Sequence, residues 1–281
     1  MDKLDLKPEQ ILDTALNTSE VKASSSFSKL MILGILAGSF IAFAAQGSTM
    51  AAFNLLLDSN TFGLGKALAG AIFATGLMMV VMGGGELFTG NTLMLAGLID
   101  RRIKLSSMIR NWVIIYIANF IGSMIIVILI NYSGQLMNAD AMLGAMALKI
   151  AAGKVNLSFL QAFCLGILCN WLVCMAVWMA YGAKSLAGKA ICIFFPIWLF
   201  ITSGFEHSVA NMYYIPIGIF IKSNNVIAEA SGLPPEILDN LNWGTFFVNN
   251  LLPVTIGNII GGGIFVGIAY YIAFRKKTKV G

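Results

Sequence analysis

Three stretches of this chain, residues 111–131, 158–183 and 242–274, carry no charged side chain. Each exceeds the roughly 20 residues that a helix needs to cross the hydrocarbon core of a bilayer. Runs of that length confine the chain to a membrane. Of the 281 residues, 58% are hydrophobic and 11% are charged, whereas a soluble domain has about 25% charged residues. Too little polar surface is left to coat a water-soluble sphere, and the fold class is an all-α membrane protein. The start, MDKLDLKPEQILD, mixes acids with bases and has no apolar core, which argues against a cleaved leader. The net charge of +5 sits in loops between spans and does not point to nucleic acid. Cys164, Cys169 and Cys174 recur every five residues and Cys192 lies in the next span. That is neither metal-ligand nor secreted-disulfide spacing, so all four are expected as buried thiols acting as small hydrophobes, with no metal and no cofactor.

Taken in order, residues 1–27 read as a polar N-terminal arm on the cytoplasmic side. Pro8 suits the first position of a helix, and Ile11, Leu12, Ala15 and Leu16 then share one face. A short amphipathic helix is expected there, serving as a solvated cap or as a gate against a pore mouth; the cap is the simpler expectation. Residues 28–275 form a six-span domain, with a first repeat over 28–131 and a second over 158–275, and a basic tail, 276–281, closes the chain. Expected spans are 29–46, 67–85, 111–131, 158–183, 190–221 and 243–274, with loops at 47–66, 100–110, 132–157 and 222–241.

Two of the six segments are interrupted. Gly83-Gly84-Gly85 is followed by Glu86-Leu87-Phe88-Thr89-Gly90-Asn91, and the apolar run after it is too short to cross alone. The fifth segment contains Gly204-Phe205-Glu206-His207-Ser208-Val209-Ala210-Asn211. Glycine followed by an acid inside a hydrophobic segment is the mark of a broken helix. The halves also repeat. Leu33-Gly34-Ile35-Leu36 recurs as Leu165-Gly166-Ile167-Leu168; Glu86 and Asn91 match Glu206 and Asn211; Asn111, Asn119 and Gly122 match Asn250, Asn258 and Gly261 at the same steps. A repeat of three spans must be inverted in its second copy, which places a binding site near the midplane where the broken helices meet. Charge agrees with this topology: Lys66, Lys149, Lys154 and Lys222 fall on one side and the other fourteen Lys and Arg on the opposite, hence cytoplasmic, side.

Irregular backbone at membrane depth persists only where protein buries it or a cavity adjoins it. Each break offers N–H groups at the start of a half-helix, an end that suits an anion. Glu86 and Glu206 are expected to accept the orphan N–H groups of their own loops, and Asn91 and Asn211 to fix the loops or line the path. His207 is the only histidine, and its repeat counterpart is Leu87, so the fold itself does not require an imidazole. An ionisable residue there marks a site by default: either a core histidine with satisfied partners, or a ring facing a path and giving a hydrogen bond or a proton to a small anion. Thr89 supplies a hydroxyl from the facing break. Leu87, Phe88 and Phe200 make the surroundings apolar, which costs an anion far more than its neutral acid. Lys154 either concentrates anions electrostatically or is a plain surface lysine.

The stretches Leu87-Phe88-Thr89-Gly90-Asn91, Gly204-Phe205-Glu206-His207-Ser208-Val209-Ala210-Asn211-Met212 and Asn250 through Gly263 resemble the formate/nitrite transporter family over nearly the whole chain. The third stretch and Arg110-Asn111-Trp112 look most like its formate channel branch. The resemblance implies an aquaporin-like protomer assembled as a homo-pentamer in membrane lipid. It implies small weak-acid anions as substrates: formate, nitrite, hydrosulfide, acetate, lactate. It further implies a central site of His207 and Thr89 with Asn170 beside it, and a vestibule lysine at Lys154. Leu87, Phe88 and Val173 would form the cytoplasmic constriction, Leu77 and Phe200 the outer one, and the arm a gate. The expected protein is a channel or proton-linked transporter for formate in a prokaryotic inner membrane, with nitrite or hydrosulfide as the rival substrates. A water or glycerol channel is disfavoured because no Asn-Pro pair occurs. An enzyme is disfavoured because one histidine, no acid cluster on the membrane face and no nucleotide-binding glycine loop leave it little to work with.

Overall fold

A computed structural model describes residues 5–275; Lys3 and the basic tail 276–281, both used in the charge argument, lie outside them. All regular elements among the described residues are helical. They are α1 (Pro8–Ser24), α2 (Phe27–Leu57), α3 (Phe62–Gly83), α4 (Phe88–Asn91), α5 (Met94–Ile99), α6 (Leu105–Tyr132), α7 (Met142–Val155), α8 (Phe159–Gly182), α9 (Leu186–Thr202), α10 (Ser208–Ile221), α11 (Asn225–Ser231), α12 (Pro235–Asn240) and α13 (Trp243–Phe274). Helices α2, α3, α6, α8 and α13 are long and apolar enough to cross a membrane, and Phe88–Ile99, α9 and α10 are shorter apolar pieces. On α6, Ile117, Ile121, Ile125 and Ile128 recur every three or four residues and all are exposed. Such a stripe is stable only against lipid or another apolar protein surface, and with five helices of spanning length the chain is an integral membrane protein.

Four expectations need correction, the last being that all four cysteines are buried. Helix α2 runs on to Leu57 instead of ending near Gln46. The Thr49 hydroxyl donates to Ala45 O (3.0 Å) and the Ser48 hydroxyl to Ala69 O (2.9 Å), so these polar residues are satisfied by backbone and the helix continues. The stretch 132–157 is no simple loop: it contains α7, whose Leu143, Leu148 and Ala151 are buried against the interior. Nor is the arm a solvated cap. Leu12 and Leu16 of α1 are buried, α1 packs on α5, α8 and the end of α13, and the Leu6 N–H donates to Gly182 O (2.9 Å). Of the cysteines, Cys169 and Cys174 are buried while Cys164 is exposed and Cys192 half-buried.

Helix α3 stops where Gly84 takes φ +86°, and α9 where Gly204 takes φ +74°. Glycine adopts this left-handed conformation at no steric cost, which turns the chain out of each helix. Leu87 (φ −111°, ψ 126°) and His207 (φ −112°, ψ 116°) are then extended and start α4 and α10 from nearly the same backbone geometry. Close helix contact recurs as well. A Cβ at Gly122 of α6 would strike the Ile35 carbonyl of α2, and one at Gly261 of α13 would strike the Ile167 carbonyl of α8. Helix α13 widens into π-helix at Phe246–Leu251 and Ile260–Ile268; in the second stretch Gly262 leaves room for Thr92, Asn170 and Cys174.

Candidate functional site

The scaffold around each interruption consists of matching hydrogen bonds. Phe88 N–H donates to Asn119 Oδ1 and Ser208 N–H to Asn258 Oδ1, both at 2.9 Å. The Asn119 amide donates to Gly34 O (2.8 Å) and Glu86 O (2.9 Å); that of Asn258 donates to Gly166 O (2.7 Å) and Glu206 O (3.0 Å). The Asn91 amide donates to Glu86 Oε2 and Asn111 Oδ1, and the Asn211 amide to Glu206 Oε2 and Asn250 Oδ1, all within 2.6–2.8 Å. Contrary to the expectation from sequence, the glutamate carboxylates do not accept the N–H groups of their own loops; Asn119 and Asn258 each accept one, from Phe88 and Ser208. The carboxylates are held instead by side-chain amides and by one ammonium each, Lys22 Nζ to Glu86 Oε2 (2.6 Å) and Lys154 Nζ to Glu206 Oε1 (2.7 Å).

Lys22 was not among the sequence-predicted residues, although a signal for it existed. Lys22 precedes Leu33 by the same eleven residues that separate Lys154 from Leu165, and each lysine is followed four residues later by a serine, Ser26 or Ser158. Those serines both cap the next helix, and Asn111 and Asn250 both donate to the lysine carbonyls. Helix α1 is thus the counterpart of α7. The two sites differ in detail: Lys22 shares Glu86 Oε2 with Asn91 and also reaches Asn91 Oδ1 (2.7 Å), whereas Lys154 takes the opposite oxygen of Glu206 from Asn211 and Asn250, and Asn211 Oδ1 is buried with no partner.

Between the two scaffolds, His207 Nε2 lies 3.0 Å from Thr89 Oγ1, and both residues are buried. His207 Nδ1 accepts from the Ala210 N–H (3.0 Å) and so caps α10. With Nδ1 accepting, the neutral ring carries its proton on Nε2 and donates it to Thr89 Oγ1, which leaves the Thr89 O–H as a free donor. The Phe200 ring stacks on His207 (6.0 Å between centroids), and Phe73 meets Phe200 edge-on (5.7 Å).

Two cavities flank this pair, at opposite ends of α3 and α8. The one on the arm side has a volume of about 190 Å³ and is lined by Thr18, Lys22, Leu77, Glu86 and Leu87 among others. The far one, about 430 Å³, is lined by Thr49, Lys66, Lys149, Lys154, Glu206 and Tyr214 among others. His207, Thr89 and Phe200 line neither.

Some expected residues sit elsewhere. Leu77, expected at the outer narrowing with Phe200, lines the arm-side cavity with Leu87. The Phe88 ring is turned outward, edge-on to Tyr116 (4.8 Å) and Trp112 (6.0 Å), because two aromatic partners on α6 receive it there. The Asn170 amide donates to Thr89 O, Thr92 Oγ1 and Asn258 O, and is consumed in tying the first break to α13. Val173 is buried on α8. Among the described residues no group of three His, Cys, Asp or Glu is placed to hold a metal.

Comparison with known proteins agrees on one family. The model of the formate/nitrite transporter family matches residues 9–272. A formate channel, FocA, of Haemophilus influenzae is 41% identical over 265 residues, covering 94% of this chain and 93% of that one. A probable formate transporter of Methanothermobacter thermautotrophicus is 38% identical over 273 residues, covering 92% and 93%. Among solved structures, a pentameric formate channel with formate bound superimposes with a TM-score of 0.78 at 38% identity, covering 89% of this chain and 98% of that one. The chain belongs to the formate/nitrite transporter family.

Proposed function

We propose that this protein is a formate channel of a prokaryotic inner membrane, with both termini in the cytoplasm. In this reading it has six crossings in an inverted three-plus-three repeat, two of them assembled from paired half-helices, and five copies form the assembly. The named relatives, the pentameric neighbour and the skewed distribution of Lys and Arg support it. The observation that carries it is the His207–Thr89 pair, set between two cavities that each hold a lysine–glutamate pair.

The path runs from the cytoplasmic cavity past Leu87 to Thr89, then by His207 and Phe200 to the outer cavity. Formate loses most of its water at the apolar stretch, where the free Thr89 O–H and the polar ring edge replace part of that hydration. Transfer of the Nε2 proton from a neutral ring would leave an anionic imidazole. A second proton on Nδ1 would face the Ala210 N–H and break the helix cap. This favours a ring that hydrogen-bonds the passing species over one that surrenders its own proton. Formate flux into proteoliposomes tests the reading: His207→Phe is expected to abolish it, while His207→Asn, which keeps a donor and a good cap, retains part of it. Undiminished, equally pH-dependent flux in His207→Phe would refute the role. Competition among formate, nitrite and hydrosulfide in the same vesicles ranks the substrates.

A further inference from the structure

We infer that Lys66 is the uncompensated anion-receiving charge of the outer cavity, and that it forms a capture subsite for small monovalent carboxylates and oxyanions; this rests on the transport reading above. The Lys154 charge is already compensated: its ammonium is 2.7 Å from Glu206 Oε1 and lies over the Tyr214 ring at 5.3 Å. The other oxygen of Glu206 accepts from Asn211 and Asn250. Lys66 lines the same cavity and makes no ion pair or hydrogen bond among the described residues; its ammonium lies 5.5 Å from the centroid of the Phe62 ring. Its three N–H donors are therefore without a protein acceptor at a cavity wall.

The position is also the right one. Lys66 Nζ lies 3.7 Å from where a Cβ on Gly204 would sit, so it stands over the turn that leads to Glu206 and His207. The C-terminal end of α9 stands next to it and attracts its charge as well. Cations lining the cavity, Lys66, Lys149 and Lys154, outnumber the one carboxylate, Glu206. The unpaired charge is therefore positive, and a partly enclosed cavity focuses it.

The test compares wild type, Lys66→Gln and Lys66→Arg in proteoliposomes at low and high salt. Lys66→Gln is expected to raise the half-saturating formate concentration roughly fivefold to tenfold with maximal flux intact, and to flatten its salt dependence. Lys66→Arg should restore both. Unchanged half-saturation and salt response in Lys66→Gln, or a loss of maximal flux alone, would overturn the inference. A second readout needs no transport: in detergent, formate should slow acetylation of Lys66 by an activated ester, followed by mass spectrometry, and leave Lys222 unaffected. Equal labelling of both with and without formate overturns the subsite. Protection without wild-type flux keeps the subsite and removes the transport reading instead.

Discussion

Around Glu86 and around Glu206, asparagines, a lysine and backbone carbonyls make the same hydrogen bonds at nearly the same lengths. Yet Leu87 occupies the seat that His207 occupies in the other copy, and Asn91 has an ammonium on its carbonyl oxygen where Asn211 has nothing. The groups that hold a chain break open inside a membrane are duplicated because both breaks pose the same problem of orphan backbone groups. The imidazole is not duplicated: it caps α10, but α4 starts at Leu87 without such a cap, so folding alone does not require it. Function is to be sought where a repeat departs from its own symmetry.

The largest effect expected of this asymmetry is in transport. His207→Phe should lower formate flux by about a hundredfold or more, on the scale of losing a preorganised donor, while Leu87→Met at the matching seat should change it less than about threefold. Comparable losses in both would show that the two seats share one role. Next in size is the scaffold itself. Asn119→Ala and Asn258→Ala each strand a buried N–H and a loop carbonyl, that of Glu86 or Glu206, so each should destabilise the detergent-solubilised protein by about 3 kcal/mol, to a similar degree. A tolerant member of that pair, seen in unfolding midpoints, would break the equivalence. Smaller again is the difference between the lysines. Lys22→Met removes the ion pair that ties α1 to Glu86 and should speed proteolysis within residues 5–27; Lys154→Met should leave α7 protected because its buried Leu143, Leu148 and Ala151 still hold it. The smallest effect separates Asn91→Ala from Asn211→Ala. The former should cost about 1 kcal/mol more, since it also gives up a hydrogen bond from an ammonium.

The glycine-plus-acid motifs located both breaks, and the repeated steps of Asn111–Asn119 and Asn250–Asn258 exposed the duplication, because these signals are local and periodic. What the asparagines bind was not legible: Asn258 reaches Glu206 and Gly166 across long sequence separations. Lys22 went unseen because the repeat was sought inside apolar spans, whereas its counterpart lies in a stretch expected to be a loop. The direction of Phe88 depends on Tyr116 and Trp112, which a four-residue helix says nothing about. Asn170 reads as a path residue when its span is viewed alone, and as a fastening once Thr89 O and Asn258 O are in place.

The docking of α1 bears on how shortened versions of this protein are to be understood. Deleting the first two dozen residues would strip Glu86 of its only cationic neighbour within ion-pair distance among the described residues and leave an unpaired acid in the arm-side cavity. Altered permeation in such a deletion would report an unneutralised carboxylate as much as an unblocked opening, and a double variant that also carries Glu86→Gln separates the two.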